Sequence, residues 1–284
     1  SWWSVVAVFL AHVPLGMLPH IGNKLWALKE PSQRSMFIRL AFSFGLILGM
    51  LGLGGIMARA ILGEGVNGNQ ALIMLFIELF PSWLAALLGV GILAAVMSTA
   101  DGLVVSSSQI VANDIYRLSF VPKFRANLSE EEVERRVLNV SRVSTVVIMI
   151  LCTILAWNML DMNVTIIVWV GSGCMMAAFA GPLILGSVWS GVTKSGAFAG
   201  LISGGLTFIL VFNRAIDPEW FAPGMLQNAV QWLVIESPNP WSCAAIGELV
   251  SIAFTVIVSK LTQPLPEEHI QELFAPVSKS SHSA

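Results

Sequence analysis

The sequence predicts an all-α integral membrane protein. Of its 284 residues, 56% are hydrophobic and only 11% are charged, whereas charged residues make up about 25% of an average soluble domain. Mean hydropathy is +0.78. Apolar stretches near ~20 residues recur along the whole chain, and each is long enough to cross the ~30 Å hydrocarbon core as a helix. These observations favour one helical bundle in lipid over the one or two soluble domains that length alone suggests.

Seven apolar segments are predicted to span the membrane. They cover residues 1–18, 37–58, 83–108, 142–158, 164–188, 196–213 and 241–261. With these spans, the 15 Lys and Arg residues all fall on one side except Arg59 and Arg214. Because short cytoplasmic loops are enriched in basic residues, we expect a multi-pass protein of the cell membrane with its amino end outside and its carboxyl end in the cytoplasm.

The first span is predicted to be broken near its end. Its stretch "VPLGMLPHIGNKLWALK", 13–29, contains Pro14 and Pro19, which lack a backbone N–H, and Gly16, which weakens a helix. Neighbouring helices can satisfy the freed groups, so an ordinary proline kink is one interpretation. The other is a discontinuous helix that lines a substrate cavity, as in secondary transporters.

The third span contains an unusual group of oxygen ligands. Ala95, Ser98 and Thr99 stand at i, i+3 and i+4, so two hydroxyls lie on the same helix face as the Ala95 carbonyl. Neutral oxygens suit a hard cation such as sodium that must also leave. The alternative is that these hydroxyls only bond to carbonyls of their own helix. Asp101 lies one turn further on, and because a carboxylate costs ~2.5–3.5 kcal/mol at mid-membrane, it marks a possible ion path.

Several smaller patterns complete the prediction. Ser129 and Glu132 form a capping box that begins a helix, and the amphipathic segment 221–235 is predicted to lie at the interface, to cap the bundle or to gate a ligand path. Glycine pairs four apart, Gly45 with Gly49 and Gly200 with Gly204, predict close helix approach in lipid.

Other classes of function are disfavoured. Basic residues form no patch that would follow phosphates, so nucleic acid is not an expected partner. The sequence shows no nucleophile with a base and no metal-ligand cluster, so an enzyme is not expected either. The first residue is Ser1 and the first apolar run has no basic leader, so we expect a fragment that begins partway through a longer protein.

Three ordered segments resemble one known family. The stretch "AAVMSTADGLVVSSSQIVANDIYR", 94–117, resembles the signature of the sodium:solute symporter family, which includes sodium/proline, sodium/pantothenate and sodium/glucose symporters. The stretch "GMLPHIGNKLWALK", 16–29, is similar to the Gly-x-x-Pro-His segment of that family, and "KLTQPLPEEHIQELF", 260–274, is similar to its closing tail.

The resemblance implies the later half of an inverted-repeat sodium symporter fold. Residues 1–188 would form the second five-helix repeat, 189–261 two peripheral helices with an outer loop at 214–240, and 262–284 a cytoplasmic tail. It also implies that Ala95, Ser98 and Thr99 bind the sodium ion. The other sodium ligands would come from the missing N-terminal half of the same transporter.

The function implied is sodium-coupled symport of a small organic solute by alternating access across the lipid bilayer. The solute would be a carboxylate, a pantothenate-like acid or an amino acid, and sodium would be the coupling ion. In the proline-transporting branch a Trp and a Tyr occupy the positions of Ala11 and Leu15, which argues against proline. Candidates for the substrate cavity are Ala11, Leu15, Gly16, Pro19 and Ser172.

A transporter-like membrane sensor module is the alternative, since some relatives in this family are fused to signalling kinases. No kinase or receiver pattern follows the last span in this sequence, which favours the transporter.

Overall fold

The structure is a computed structural model that describes residues 2–18, 21–22, 28, 30–125 and 128–274. The described residues form helices and no strand, as the sequence predicts. The helices are α1 (Trp2–Ala11), α2 (Pro31–Gly49), α3 (Gly52–Leu62), α4 (Ala71–Leu79), α5 (Ser82–Gln109), α6 (Val121–Phe124), α7 (Glu130–Asn158), α8 (Val164–Ala180), α9 (Gly186–Val188), α10 (Lys194–Phe212), α11 (Met225–Glu236), α12 (Pro240–Leu261) and α13 (Glu267–Phe274).

The predicted break in the first span is confirmed. Helix α1 ends at Ala11, and a short 3-10 turn follows at Leu15–Met17. Pro14, which is buried, has no N–H for the carbonyl of Leu10, and the N–H of Val13 donates to that carbonyl instead at 2.9 Å. A helix of this length rises only ~15 Å, about half of the hydrocarbon thickness.

Six helical segments of the described chain are long and apolar enough to cross a membrane, against the seven that the sequence predicts. They are Gln33–Leu62, Ser82–Phe124, Glu130–Asn158, Val164–Val188, Lys194–Phe212 and Pro240–Leu261. The difference arises because the first predicted span contains only the ten-residue α1 before its break. The other six predicted spans each correspond to one of these segments.

Two predicted spans extend beyond their expected limits. Helix α7 begins at the predicted capping box, where the Ser129 hydroxyl accepts a hydrogen bond from the N–H of Glu132 at 3.3 Å. The capped helix and the fourth span are therefore one continuous helix. Helix α5 continues through a π-helical segment, Ile110–Phe120, into α6. There the Ser119 hydroxyl donates to the carbonyl of Asp114, five residues earlier, at 2.8 Å, which matches π-helical spacing.

Residues 19–164 form one of two compact units. In it α7 contacts α5 and the π-helical segment, and α3 contacts α4. Asn69 joins two distant parts of the unit, since its side chain donates to the carbonyl of Met162 and accepts from the N–H of Val164, both at 3.2 Å. The most apolar stretches of 33–62 and 130–158 have no buried residue, which in lipid carries no hydrophobic penalty.

Residues 1–18 and 165–284 form the other unit. Its core is the contact between α10 and α12, with α1 and the π-helical segment that follows α8, Gly181–Leu185, against α12. Gly196, Gly200 and Gly204 line the face of α10 that meets the hydroxyl residues of α12, so a Cβ at any of them would overlap α12 atoms. The predicted close approach at Gly200 and Gly204 is therefore confirmed.

Candidate functional site

The oxygen group predicted from the sequence lies on the middle of α5. Ala95, Ser98 and Thr99 are all exposed. The Thr99 hydroxyl donates to the Ala95 carbonyl, but the two oxygens are 3.3 Å apart, beyond the ordinary 2.5–3.0 Å range of such bonds. The equivalent bonds of Thr145 and Thr153 on α7 are 2.9 and 2.8 Å long. The bond within α5 is therefore the weaker one.

Ser98, like Ser107 further along the same helix, has an exposed hydroxyl. Within the described residues its side chain makes no hydrogen bond, although hydroxyls of Thr153 and Ser172 bond to their own helices. The open face of α5 thus presents two hydroxyl oxygens and one carbonyl oxygen. Cations that prefer oxygen ligands and are similar in size to sodium take ~6 or more ligands. The three oxygens on this face can therefore supply about half of the coordination shell of such an ion.

The polar residues that follow this group on α5 differ in their exposure. Asp101, one turn on, is exposed and forms no ion pair in the part of the chain that the structure describes. Ser106 and Ser108 are buried, and the Ser108 hydroxyl donates to the carbonyl of Val105 at 2.9 Å. Beyond Asp101, therefore, α5 alternates buried serines at 106 and 108 with an exposed one at 107.

The substrate-cavity candidates near the break of α1 have different environments. Ala11 is fully buried, in an apolar cluster with Ala177, Phe208 and Ala244. Leu15 is half-buried and Gly16 is exposed. Pro19 lies outside the described residues.

Ser172, the candidate on α8, is half-buried, and its hydroxyl donates to the carbonyl of Val168 at 2.7 Å. Three residues earlier on α8, Trp169 contacts two other rings, which the sequence reasoning missed. The His12 ring lies 4.6 Å from Trp169, between ring centroids, and Trp241 lies 5.2 Å from Trp169 on another side. The position of His12 beside the break was the signal available in the sequence.

His12 also has a defined hydrogen bond. Its Nδ1 lies 2.5 Å from the carbonyl oxygen of Val8, so Nδ1 is the donor and Nε2 is left to accept from another group. In its neutral form this exposed imidazole, held against the half-buried Trp169, offers Nε2 as an acceptor with no partner among the described residues, so the pair can take both a polar and an apolar part of a small solute.

Two polar residues of α12, Ser242 and Glu248, are buried in this unit. The indole N–H of Trp3 donates to the hydroxyl of Ser242 at 2.5 Å, which ties α1 to α12. Glu248 is 4% exposed, and its Oε1 has no hydrogen-bond partner among the described residues.

A protein family model matches a stretch of the chain that includes this site. The family model described as the sodium:solute symporter family matches residues 17–204, which include the whole of α5. The chain belongs to the sodium:solute symporter family. Together with its six apolar segments, this membership makes it a multi-pass membrane protein from a family of transporters rather than of enzymes.

Individual relatives agree with the family. A sodium/proline symporter of Staphylococcus aureus is 26% identical over 272 residues, which cover 93% of this chain and 48% of the relative. The sodium/proline symporters of the JH9 and Newman strains give the same figures. This chain therefore spans about half the length of these curated relatives. No solved structure matches it.

Proposed function

We propose that the chain is part of a sodium-coupled symporter that moves a small organic solute by alternating access, with sodium bound at Ala95, Ser98 and Thr99. One observation supports this most. On the exposed face of α5, Ser98 makes no hydrogen bond among the described residues and the Thr99 bond to Ala95 is stretched to 3.3 Å, so three oxygens at helical spacing keep lone pairs that an ion could use.

An ion can use this arrangement without breaking the helix. A carbonyl oxygen has two lone pairs, and a hydroxyl oxygen keeps lone pairs while it donates. Thr99 can therefore remain bonded to Ala95 while both oxygens, with that of Ser98, coordinate sodium. Asp101 would add a negative charge near the ion and attract it along the helix without being a ligand. The remaining ligands would come from the N-terminal half of the transporter.

Sodium can drive transport only by binding more tightly to one conformation than to the other. Three ligands on one helix are a partial site, which becomes complete only when another element approaches it. We propose that this approach occurs in the outward-open state, so that sodium stabilises this state and prepares the solute site.

The solute is proposed to bind beside the break of α1. Leu15 and Gly16 lie there, and α8 would contribute Ser172. His12 and Trp169 join this set because their rings are in contact. Ala11 would support this site through its packing in the apolar cluster. The solute is a carboxylate, a pantothenate-like acid or an amino acid, and proline belongs among those to be tested because the relatives above carry its name.

The proposed setting is the cell membrane, with the carboxyl end in the cytoplasm. The distribution of basic residues supports this orientation. It places the start of α1 outside and the end of α12 inside.

Uptake by the full-length gene product in proteoliposomes tests the proposal. Proline, other amino acids, monocarboxylates and pantothenate are each supplied with a sodium gradient and with a potassium gradient. We expect one class to accumulate with sodium only, and we expect Ser98→Ala and Thr99→Ala to raise the sodium concentration needed for half-maximal uptake.

Thr153→Ala is the matched control, because Thr153 is also an exposed threonine bonded to the carbonyl four residues earlier. It should leave the sodium dependence unchanged. Equal effects of Thr99→Ala and Thr153→Ala would refute the assignment of the ion to α5.

A further inference from the structure

Helix α8 changes its hydrogen bonding at a proline. Its α-helical part ends at Ala180, and a π-helical segment, Gly181–Leu185, follows. Pro182 is the second residue of that segment. In an α-helix the carbonyl of Ala178 would accept from the N–H of residue 182, and proline has none. One partly buried backbone acceptor is therefore deprived of its usual donor within a span.

A side chain from another helix takes over that role. The hydroxyl of Ser251 on α12 donates to the carbonyl of Ala178 at 3.2 Å. The same oxygen accepts from the N–H of Gly181 at 3.0 Å. A hydroxyl has one hydrogen and two lone pairs, so both bonds can form together. Ser251 is fully buried, which excludes water as a competing partner.

Helix α12 can come close enough to form these bonds only because Gly181 has no side chain. A Cβ there would stand 2.5 Å from the carbonyl oxygen of Ser251 and 2.7 Å from its carbonyl carbon. Backbone atoms cannot yield as a flexible side chain does. Gly181 thus allows α12 to approach, Pro182 leaves the carbonyl of Ala178 without its usual donor, and Ser251 donates to that carbonyl.

We infer that Ser251 is a positioning residue that substitutes for the hydrogen bond removed by Pro182, fixes the π-helical segment of α8 and joins it to α12 as one rigid element. This inference does not depend on the sodium site or on the solute. It predicts that the end of α8 and the middle of α12 keep their mutual bonds when the transporter changes conformation.

A double-mutant cycle between Ser251 and Pro182 in the full-length protein tests the inference. Hydrogen bonds between membrane helices change the unfolding equilibrium constant about threefold on average and up to about twentyfold. Because Ser251→Ala removes two such bonds, we expect it to raise that constant about tenfold. Pro182→Ala supplies an N–H for Ala178, so in that background Ser251→Ala should change it by about threefold or less.

Ser251→Ala is compared in the wild-type protein and in the Pro182→Ala variant. If it changes the unfolding equilibrium constant equally in both proteins, or in neither, the inference is overturned. If Ser251→Ala alone yields no folded protein, the inference requires that Pro182→Ala restore folding to the double variant, and failure of this rescue would count against it.

Hydrogen exchange provides a local readout that a general loss of stability would not reproduce. In Ser251→Ala we expect amides of residues 178–188 to exchange about tenfold faster, with those of 200–212 unchanged. Ser203→Ala is the control, because the Ser203 hydroxyl bonds within its own helix, to the carbonyl of Gly200. Faster exchange in both regions, or in the Ser203 variant as well, would contradict a specific role for Ser251.

Discussion

Replacing glycine with alanine should have opposite effects on stability at two adjacent positions of α10, Gly204 and Gly205. In Gly204→Ala the new methyl carbon would lie 2.7 Å from the Cβ of Ser251 and 2.9 Å from the carbonyl carbon of Ala177. Carbon atoms pack at ~3.5–4.0 Å, so α10 would have to move by about 1 Å from two helices at once. In Gly205→Ala the nearest atom is the Cβ of Ala178 at 3.4 Å, an ordinary contact.

The free energies follow from these distances. Overpacking costs about 1–3 kcal/mol, whereas replacing glycine with alanine inside a helix gains about 0.5–1 kcal/mol. Gly204→Ala should therefore lower the free energy of unfolding by about 1–2 kcal/mol. Gly205→Ala should leave it unchanged or raise it by up to about 1 kcal/mol.

Denaturant titration of the full-length protein in mixed micelles measures both values, and thermal stability by size exclusion provides a second measure. The expected order is Gly205→Ala, then wild type, then Gly204→Ala. Equal stability of the two variants, or a more damaging Gly205→Ala, would refute the packing described for α10, α8 and α12.

Substitutions at other positions test further contacts. Asn69→Ala removes both bonds to Met162 and Val164 and should destabilise the protein by about 1–3 kcal/mol, and unchanged proteolysis of the 159–164 loop would contradict this. Trp3→Phe should cost about 1 kcal/mol through loss of the bond to Ser242, and it should add nothing to Ser242→Ala in a double-mutant cycle. Glu248→Gln should fold as well as wild type, because Oε1 of this buried side chain has no hydrogen-bond partner among the described residues and so loses none on substitution, whereas Glu248→Lys should yield no monodisperse protein, since it buries an uncompensated charge.

Much of the fold was predictable because lipid makes span length and apolar composition decisive. The break of α1 followed from Pro14, and the start of α7 followed from the capping box at Ser129 and Glu132. The first span is not among the six long apolar segments because its helix stops after ten residues, which composition does not reveal.

Helix contacts were less predictable because one pattern has two outcomes. Gly200 and Gly204 face α12 within overlap distance of an added Cβ, but Gly45 and Gly49, with the same spacing, have no atom within 4 Å of an added Cβ in the described chain. Spacing shows that close approach is possible, and only the partner helix decides whether it occurs. The roles of Ser251 and Trp169 were missed for the same reason, since their partners are distant in the sequence.

For the candidate site, spacing left open whether the Thr99 hydroxyl bonds to the Ala95 carbonyl or faces an ion, and the structure shows that bond at 3.3 Å. Spacing could not separate this threonine from Thr153, which has the same i−4 relationship but a bond of 2.8 Å. The difference depends on side-chain rotamers and helix geometry, which the sequence pattern does not contain.

Binding of radioactive sodium to the purified full-length protein shows whether α5 holds the ion. We expect saturable binding that weakens at least about tenfold in Ser98→Ala and in Thr99→Ala, since each removes one oxygen ligand of a charged ion, with wild-type affinity in Thr153→Ala. Wild-type sodium affinity in both α5 variants would contradict this expectation.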